Sequence, residues 1–157
     1  MMPRLSAHVG AEWRFWGKVS IKEGCWIWKG YTNKDGYGSF GGSGGKNVFA
    51  HRFSYLNMVG EIPSGLFIDH KCHNRACVAP HHLRLATKAQ NMWNQGSQVT
   101  NTSGFKGVSW HRHAKKWESR ISGKFLGYFT TAEAAHAAYC AAATKLHGEF
   151  ANFGGVN

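Results

Sequence analysis

The sequence predicts an α+β chain of two small modules, and three observations predict it. A strand–loop–strand–helix pattern dense in metal-ligating side chains occupies the middle of the chain. Three short strands and one alanine-rich helix occupy the C-terminal third. A polar stretch without a core pattern separates them. The reading places a loose N-terminus at 1–12, a first module at 13–95, a linker at 96–102 and a second module at 103–157.

Residues 1–10 show no periodicity. Trp13-Arg14-Phe15-Trp16-Gly17-Lys18-Val19 is aromatic and suits a short helix against the core; exposed tryptophans that bind a ligand are the alternative. Cys25-Trp26-Ile27-Trp28-Lys29-Gly30 suits a strand. Asn33-Lys34-Asp35-Gly36 is a turn, and Tyr37-Gly38-Ser39-Phe40 returns as a second strand. Residues 41–45 form a flexible glycine tip, with no Gly-Lys-Ser/Thr to make a phosphate loop. Residues 46–52 leave it as a strand or a helix start, and 53–59 have helical spacing ending at Gly60.

Gly65-Leu66-Phe67-Ile68 follows a Pro-Ser-Gly turn and suits a buried strand ending at Asp69-His70. Leu83-Arg84-Leu85 alternates, as a second strand does. Thr87 and Gln90 fit a capping box that puts Asn91 in the first turn of a helix. Asp69 is a hard oxygen ligand, His70 titrates near neutrality, and Asn91 offers a second oxygen. A ββα unit of this kind brings Asp69 and Asn91 to one cation.

In the second module, 106–110, 116–121 and 125–129 suit three strands. Thr130-Thr131-Ala132-Glu133 fits a capping box for a helix from 134 to about 146, closed by Gly148. Ala134, Ala135, Ala138, Ala141 and Ala142 would let a sheet approach closely, with Tyr139 supplying bulk.

The formal net charge is +11 with only 8 acidic residues, a balance that suits a polyanion. No run of ~18 apolar residues exists, so no membrane span is expected. The N-terminus lacks a signal-peptide segment, which points to the cytoplasm and to cysteines that are not in disulfides.

Cys72 and Cys77 are spaced C-x4-C, and His82 follows after four residues. With Cys25 as fourth ligand they could hold a structural zinc ion that staples the N-terminal hairpin to the loop. His73 and His81 compete for the fourth place, and reduced, buried thiols are the plainer reading. Cys140 sits among alanines as a packed thiol.

The segment from Cys25 to Asn94 resembles the HNH nuclease family, close to phage and intron-associated homing endonucleases. Asp69-His70 matches the family's metal-ligand and general-base pair, and Asn91 its second metal ligand at a separation in the family's range. His82 stands where the family usually has Asn before Leu, and a zinc-ligand role explains the change. Ala79 stands where many phage members have Asn before the Pro.

The resemblance implies hydrolysis of DNA phosphodiester bonds with one divalent ion, magnesium or manganese, on Asp69 and Asn91, and with His70 as general base. Arg52, Arg75 and Arg84 are candidate phosphate clamps. For Arg52, a solvated strand-end arginine is the equal alternative.

Gly107-Val108, Lys116-Trp117, Leu126-Gly127-Tyr128-Phe129, Thr131-Ala132-Glu133-Ala134-Ala135, Ala138-Tyr139 and 148–153 resemble the Apetala-type DNA-binding domain. That domain lays a three-stranded sheet in the major groove with its helix behind. By position, Trp110, Arg112, Lys115, Trp117 and Arg120 are candidate DNA contacts.

The expected partner is double-stranded DNA, bound by a monomer or a homodimer of a phage-encoded protein in a bacterial host, with no membrane role. The alternative is a DNA-binding regulator whose HNH unit is inactive.

Overall fold

The computed structural model describes residues 9–41, 46–97 and 100–154. Its elements mix α and β, with small antiparallel sheets of two, two, two and three strands among the described residues. It divides into two compact units, Met1–Thr87 and Lys88–Asn157. No helix among the described residues is long and apolar enough to cross a membrane.

The first unit opens with α1 (Val9–Trp16), so ordered structure starts inside the stretch expected to be loose. The cause is Phe15, fully buried and stacked on Trp28 at 4.8 Å, with Phe53 at 4.6 Å and Phe40 at 5.1 Å. This aromatic centre, with Ala11, Ala50 and Val78, is the unit's main core.

A hairpin follows, β1 (Val19–Lys22) with β2 (Cys25–Trp28), in register from Val19↔Trp28 to Lys22↔Cys25. Its turn holds Glu23 at φ 50° and Gly24 at φ 77°, two successive left-handed residues as a two-residue hairpin requires. The strand at Cys25 therefore pairs backwards, and not with the segment after the Asn33 turn. That turn closes on itself: Asn33 Oδ1 accepts from the backbone N–H of Asp35 at 3.0 Å and of Tyr37 at 2.9 Å.

The returning strand β3 (Ser39–Gly41) pairs with β4 (Asn47–Phe49). The glycine tip expected at 41–45 lies outside the described residues beyond Gly41. Helix α2 (Ala50–Met58) follows β4 directly and ends at Val59, before Gly60. Then β5 (Phe67–His70) pairs antiparallel with β6 (Leu83–Ala86), and a 3-10 turn (Pro80–His82) leads into β6. Tyr55, Ile68 and Leu83 make a second core under this pair.

The second unit begins with α3 (Lys88–Asn94). Its last carbonyls are taken by its own unit: Lys106 Nζ donates to the oxygens of Trp93 and Gln95 at 2.7 and 2.6 Å, and Asn152 Nδ2 donates to that of Asn94 at 2.8 Å. Trp93 stacks on His147 at 4.3 Å. These ties account for a division that falls ahead of the linker expected at 96–102. Burial lowers the Lys106 pKa to about 8.

Strands β7 (Val108–His111), β8 (Lys116–Ile121) and β9 (Lys124–Phe129) form an antiparallel sheet in that order. Helix α4 (Ala132–His147) packs on it through Ala132, Ala135, Tyr139, Ala143 and His147. Ala134 and Ala141, expected to face the sheet, are exposed because they lie off this i, i+3, i+4 stripe.

The N-cap is Thr131, whose hydroxyl accepts from Ala134 N; with alanine at that third helical position, the reciprocal box expected between Thr130 and Glu133 does not form. Gly107, at φ 75°, must be glycine: a Cβ there would sit 2.1 Å from the Tyr139 ring.

Candidate metal and catalytic site

Strand β5 ends on two buried polar residues, Asp69 and His70, which the strand pleat sends to opposite faces. Asp69 pairs across the ladder with Arg84, whose Nε donates to Asp69 Oδ2 at 2.8 Å; both side chains are largely buried. Arg84 was expected as a phosphate clamp, and here it holds the carboxylate.

His70 Nε2 lies 3.0 Å from the backbone oxygen of Cys77. A carbonyl only accepts, so the proton sits on Nε2 and Nδ1 is the basic nitrogen. Burial holds the His70 pKa below its ordinary value, against the opposing pull of that carbonyl, and the ring is neutral at neutral pH.

His51, the second residue of α2, packs edge-on to His70 with ring centres 4.9 Å apart. Burial first, then His70 and Arg52, push its pKa down to about 3. Its Nδ1 is buried without a hydrogen-bond partner among the described residues. Tyr37 stands 5.5 Å from the His51 ring and 6.1 Å from the His70 ring. Sequence reasoning used the His-Arg step only for Arg52; the signal it missed is a histidine at the start of a helix, on the side facing the core.

Cys25, Cys72, Cys77 and His82 bring their ligand atoms within 4.8 Å of one another. Cys25 comes to the loop because β2 is laced to it. Val78 N–H donates to Trp26 O at 2.7 Å, Trp28 N–H donates to Ala76 O at 2.9 Å, and Ile27 bridges Cys77. His82 Nδ1 lies 3.5 Å from both Cys25 Sγ and Cys77 Sγ. Sulfur at ~2.3 Å and nitrogen at ~2.0 Å from a tetrahedral ion stand roughly 3.5 Å apart, so the donor set fits a metal ion. His73 and His81 are not in the cluster.

The thiols are already unequal. The Cys72 thiol, with His82 and nearby backbone N–H groups, holds Cys77 well below the ordinary thiol range. The bond to Cys77 raises Cys72, and burial raises Cys25. Cys77 is thus the thiol most ready to ionise, and a bound cation would favour the thiolate form of the others as well.

The remaining candidates are spread out. Arg52 lies half-buried in the first turn of α2, a helix and not a strand end. Arg75 is exposed, donating to Asp35 O at 2.9 Å with its guanidinium 5.4 Å from the Tyr37 ring centre. Asn91 lies on α3, in the second unit.

Trp110 and Trp117 are cross-strand partners with rings 5.2 Å apart, and Trp117 packs against Val108, Ala132 and Ala135 on the helix side of the sheet. It therefore does not lie on the open face. Arg112 and Lys115 are exposed in the β7–β8 turn. Arg120 is on the open face, ion-paired to Glu118 and 5.7 Å from the Phe125 ring centre.

Comparison with known proteins places these residues in context. A family profile described as HNH endonuclease matches residues 48–93, the span that holds Asp69, His70, Cys72, Cys77, His82 and Asn91. Protein 3.8 of Escherichia phage T7 is 34% identical over 97 residues, covering 60% of this chain and 80% of that protein. Protein 2.8 of the same phage is 34% identical over 84 residues, 53% of this chain and 57% of that protein. A protein of Acanthamoeba polyphaga mimivirus named as an uncharacterized HNH endonuclease is 32% identical over 125 residues, 79% of this chain and 65% of that protein.

The chain thus spans four-fifths of the first relative and less than two-thirds of the other two. No solved structure matches it. Residues 48–93 of this chain thus match the HNH endonuclease family model, and over 97 residues the chain is similar to T7 Protein 3.8.

Proposed function

We propose that the chain is a metal-dependent endonuclease that hydrolyses DNA phosphodiester bonds, with His70 as general base. The observation that carries the reading is the His70 ring, neutral by burial and fixed through Nε2 on the Cys77 carbonyl, next to the acidic Asp69 inside the matched family span.

In this reading Asp69 and Asn91, at the two ligand positions that the family resemblance implies, would hold one divalent ion, magnesium or manganese. Hard oxygen donors suit such an ion, which when bound neutralises charge on the phosphate as the bond breaks. His70 Nδ1 takes a proton from water, the water oxygen attacks phosphorus in line, and the 3′ oxygen leaves. The products are 5′-phosphate and 3′-hydroxyl ends.

Arg84 orients Asp69 in place of clamping the phosphate, and Arg75 and Arg52 are left as phosphate contacts. The Cys25, Cys72, Cys77 and His82 cluster takes zinc, the ion that three thiolates and an imidazole favour.

The second unit is an Apetala-type DNA-binding module. Its β7–β9 order with α4 behind supports that, as does an open sheet face carrying His111, Arg120, Phe125 and Tyr128, flanked by Arg112 and Lys115. The test is incubation of supercoiled plasmid with a panel of divalent ions, followed by end mapping. Ion-dependent nicks or breaks with 5′-phosphate ends support the reading; duplex binding without cleavage under any ion indicates a DNA-binding regulator with an idle nuclease unit.

A further inference from the structure

The first unit has a surface cleft of about 580 Å³ that neither the metal cluster nor His70 uses. Trp28 and Phe40 are lining residues from the buried core, and Trp13, Arg14, Lys18 and Tyr31 line it as well. Trp13 and Tyr31 are 79% and 74% exposed, which is unusual for aromatic side chains that gain by burial.

Neither residue is on a loose backbone. Trp13 belongs to α1, which Phe15 anchors in the core, and its carbonyl accepts from Gly17 N–H at 3.1 Å. The Tyr31 carbonyl accepts from both the Trp28 indole N–H at 3.1 Å and Ser39 N–H at 2.8 Å. Two fixed backbones therefore present two bare rings, with two cations and no carboxylate among the lining residues.

We propose that this cleft binds single-stranded DNA, with unpaired bases stacked on Trp13 and Tyr31 and the neighbouring phosphates on Arg14 and Lys18. Base pairs hide their faces inside the duplex stack, so ring stacking selects unpaired bases, while the cations supply attraction to the backbone. The identity of the polymer rests on the reading of the chain as acting on DNA; the cleft itself takes no part in the cleavage chemistry.

The test is fluorescence anisotropy on the full zinc-loaded chain without added magnesium, using labelled oligothymidylate and a duplex of equal length. Trp13→Ala and Tyr31→Ala each weaken oligothymidylate binding by about tenfold and change duplex affinity by less than about twofold. Trp13→Phe retains most of the single-strand affinity, and Arg14→Gln with Lys18→Gln flattens its salt dependence.

Unchanged melting temperatures establish that the variants are folded. Absent oligothymidylate binding by the parent chain, unchanged binding by the alanine variants, or equal losses on single strand and duplex would each overturn the proposal. Plasmid cleavage reports separately on the nuclease reading.

Discussion

The Cys77 backbone oxygen and His70 Nε2 are 3.0 Å apart, while the Cys77 thiol belongs to the Cys25, Cys72, Cys77 and His82 cluster. One residue thus fixes the proposed base through its main chain and joins the proposed zinc site through its side chain. A change at the cluster reaches the His70 ring across a single residue.

The cluster should bind about one zinc per chain, read by elemental analysis. Cys77→Ser should lose that metal, destabilise the first unit by at least ~3 kcal/mol, and lower turnover in the fraction that remains folded. Cys140→Ser, on α4 outside the cluster, should change neither metal content nor turnover. Full stability and turnover in zinc-free Cys77→Ser would refute the link.

Asp69 and Arg84 are both largely buried, so they stand or fall together. Asp69→Ala should abolish cleavage and also cost roughly 3–5 kcal/mol, because it leaves the guanidinium buried without its carboxylate. A denaturation curve beside the cleavage assay separates the effects: loss of activity with unaltered stability would mean that the ion pair contributes nothing to the fold.

Arg112 and Lys115 lie exposed in the β7–β8 turn beside the open sheet face. Replacing both by glutamine should weaken duplex binding uniformly across sequences and reduce the slope of log affinity against log salt by about 2. An unchanged slope would take these residues off the DNA path.

His51 gives the fold a pH dependence of known sign. Its pKa is about 3 when folded, against an ordinary 6.5, so between those values the unfolded chain binds the proton and the folded chain does not. Stability should therefore fall as pH drops below 6.5, by up to about 1.4 kcal/mol per unit from this residue. His51→Gln, which does not titrate, should show a shallower decline in urea unfolding between pH 7 and 5. Parallel declines for the two proteins would show that His51 titrates normally.

Three members of the Cys25, Cys72, Cys77 and His82 grouping were legible because they are local. Cys72, Cys77 and His82 lie on one short loop, and Asp69-His70 ends an apolar run that could only be a strand. Cys25 was identified by its ligand chemistry, but how it reaches the loop was not legible. Its strand pairs with β1 through Glu23 at positive φ, a conformation that residue type does not announce.

Alternation tells which residues share a sheet face but not which face is covered, so the candidate list Trp110, Arg112, Lys115, Trp117 and Arg120 did not separate Trp117, which packs against Ala132 and Ala135 of α4, from Arg120 on the open face. The allegiance of α3 was equally hidden. It depends on Lys106 and Asn152, far along the chain, reaching back to its last carbonyls.

The most direct measurement is turnover of His70→Ala beside the parent chain at saturating DNA and magnesium, with DNA affinity measured in parallel. The account predicts a loss of at least ~10²-fold in cleavage with affinity nearly unchanged, since the imidazole moves a proton and does not carry binding. Equal turnover by the two proteins would contradict it.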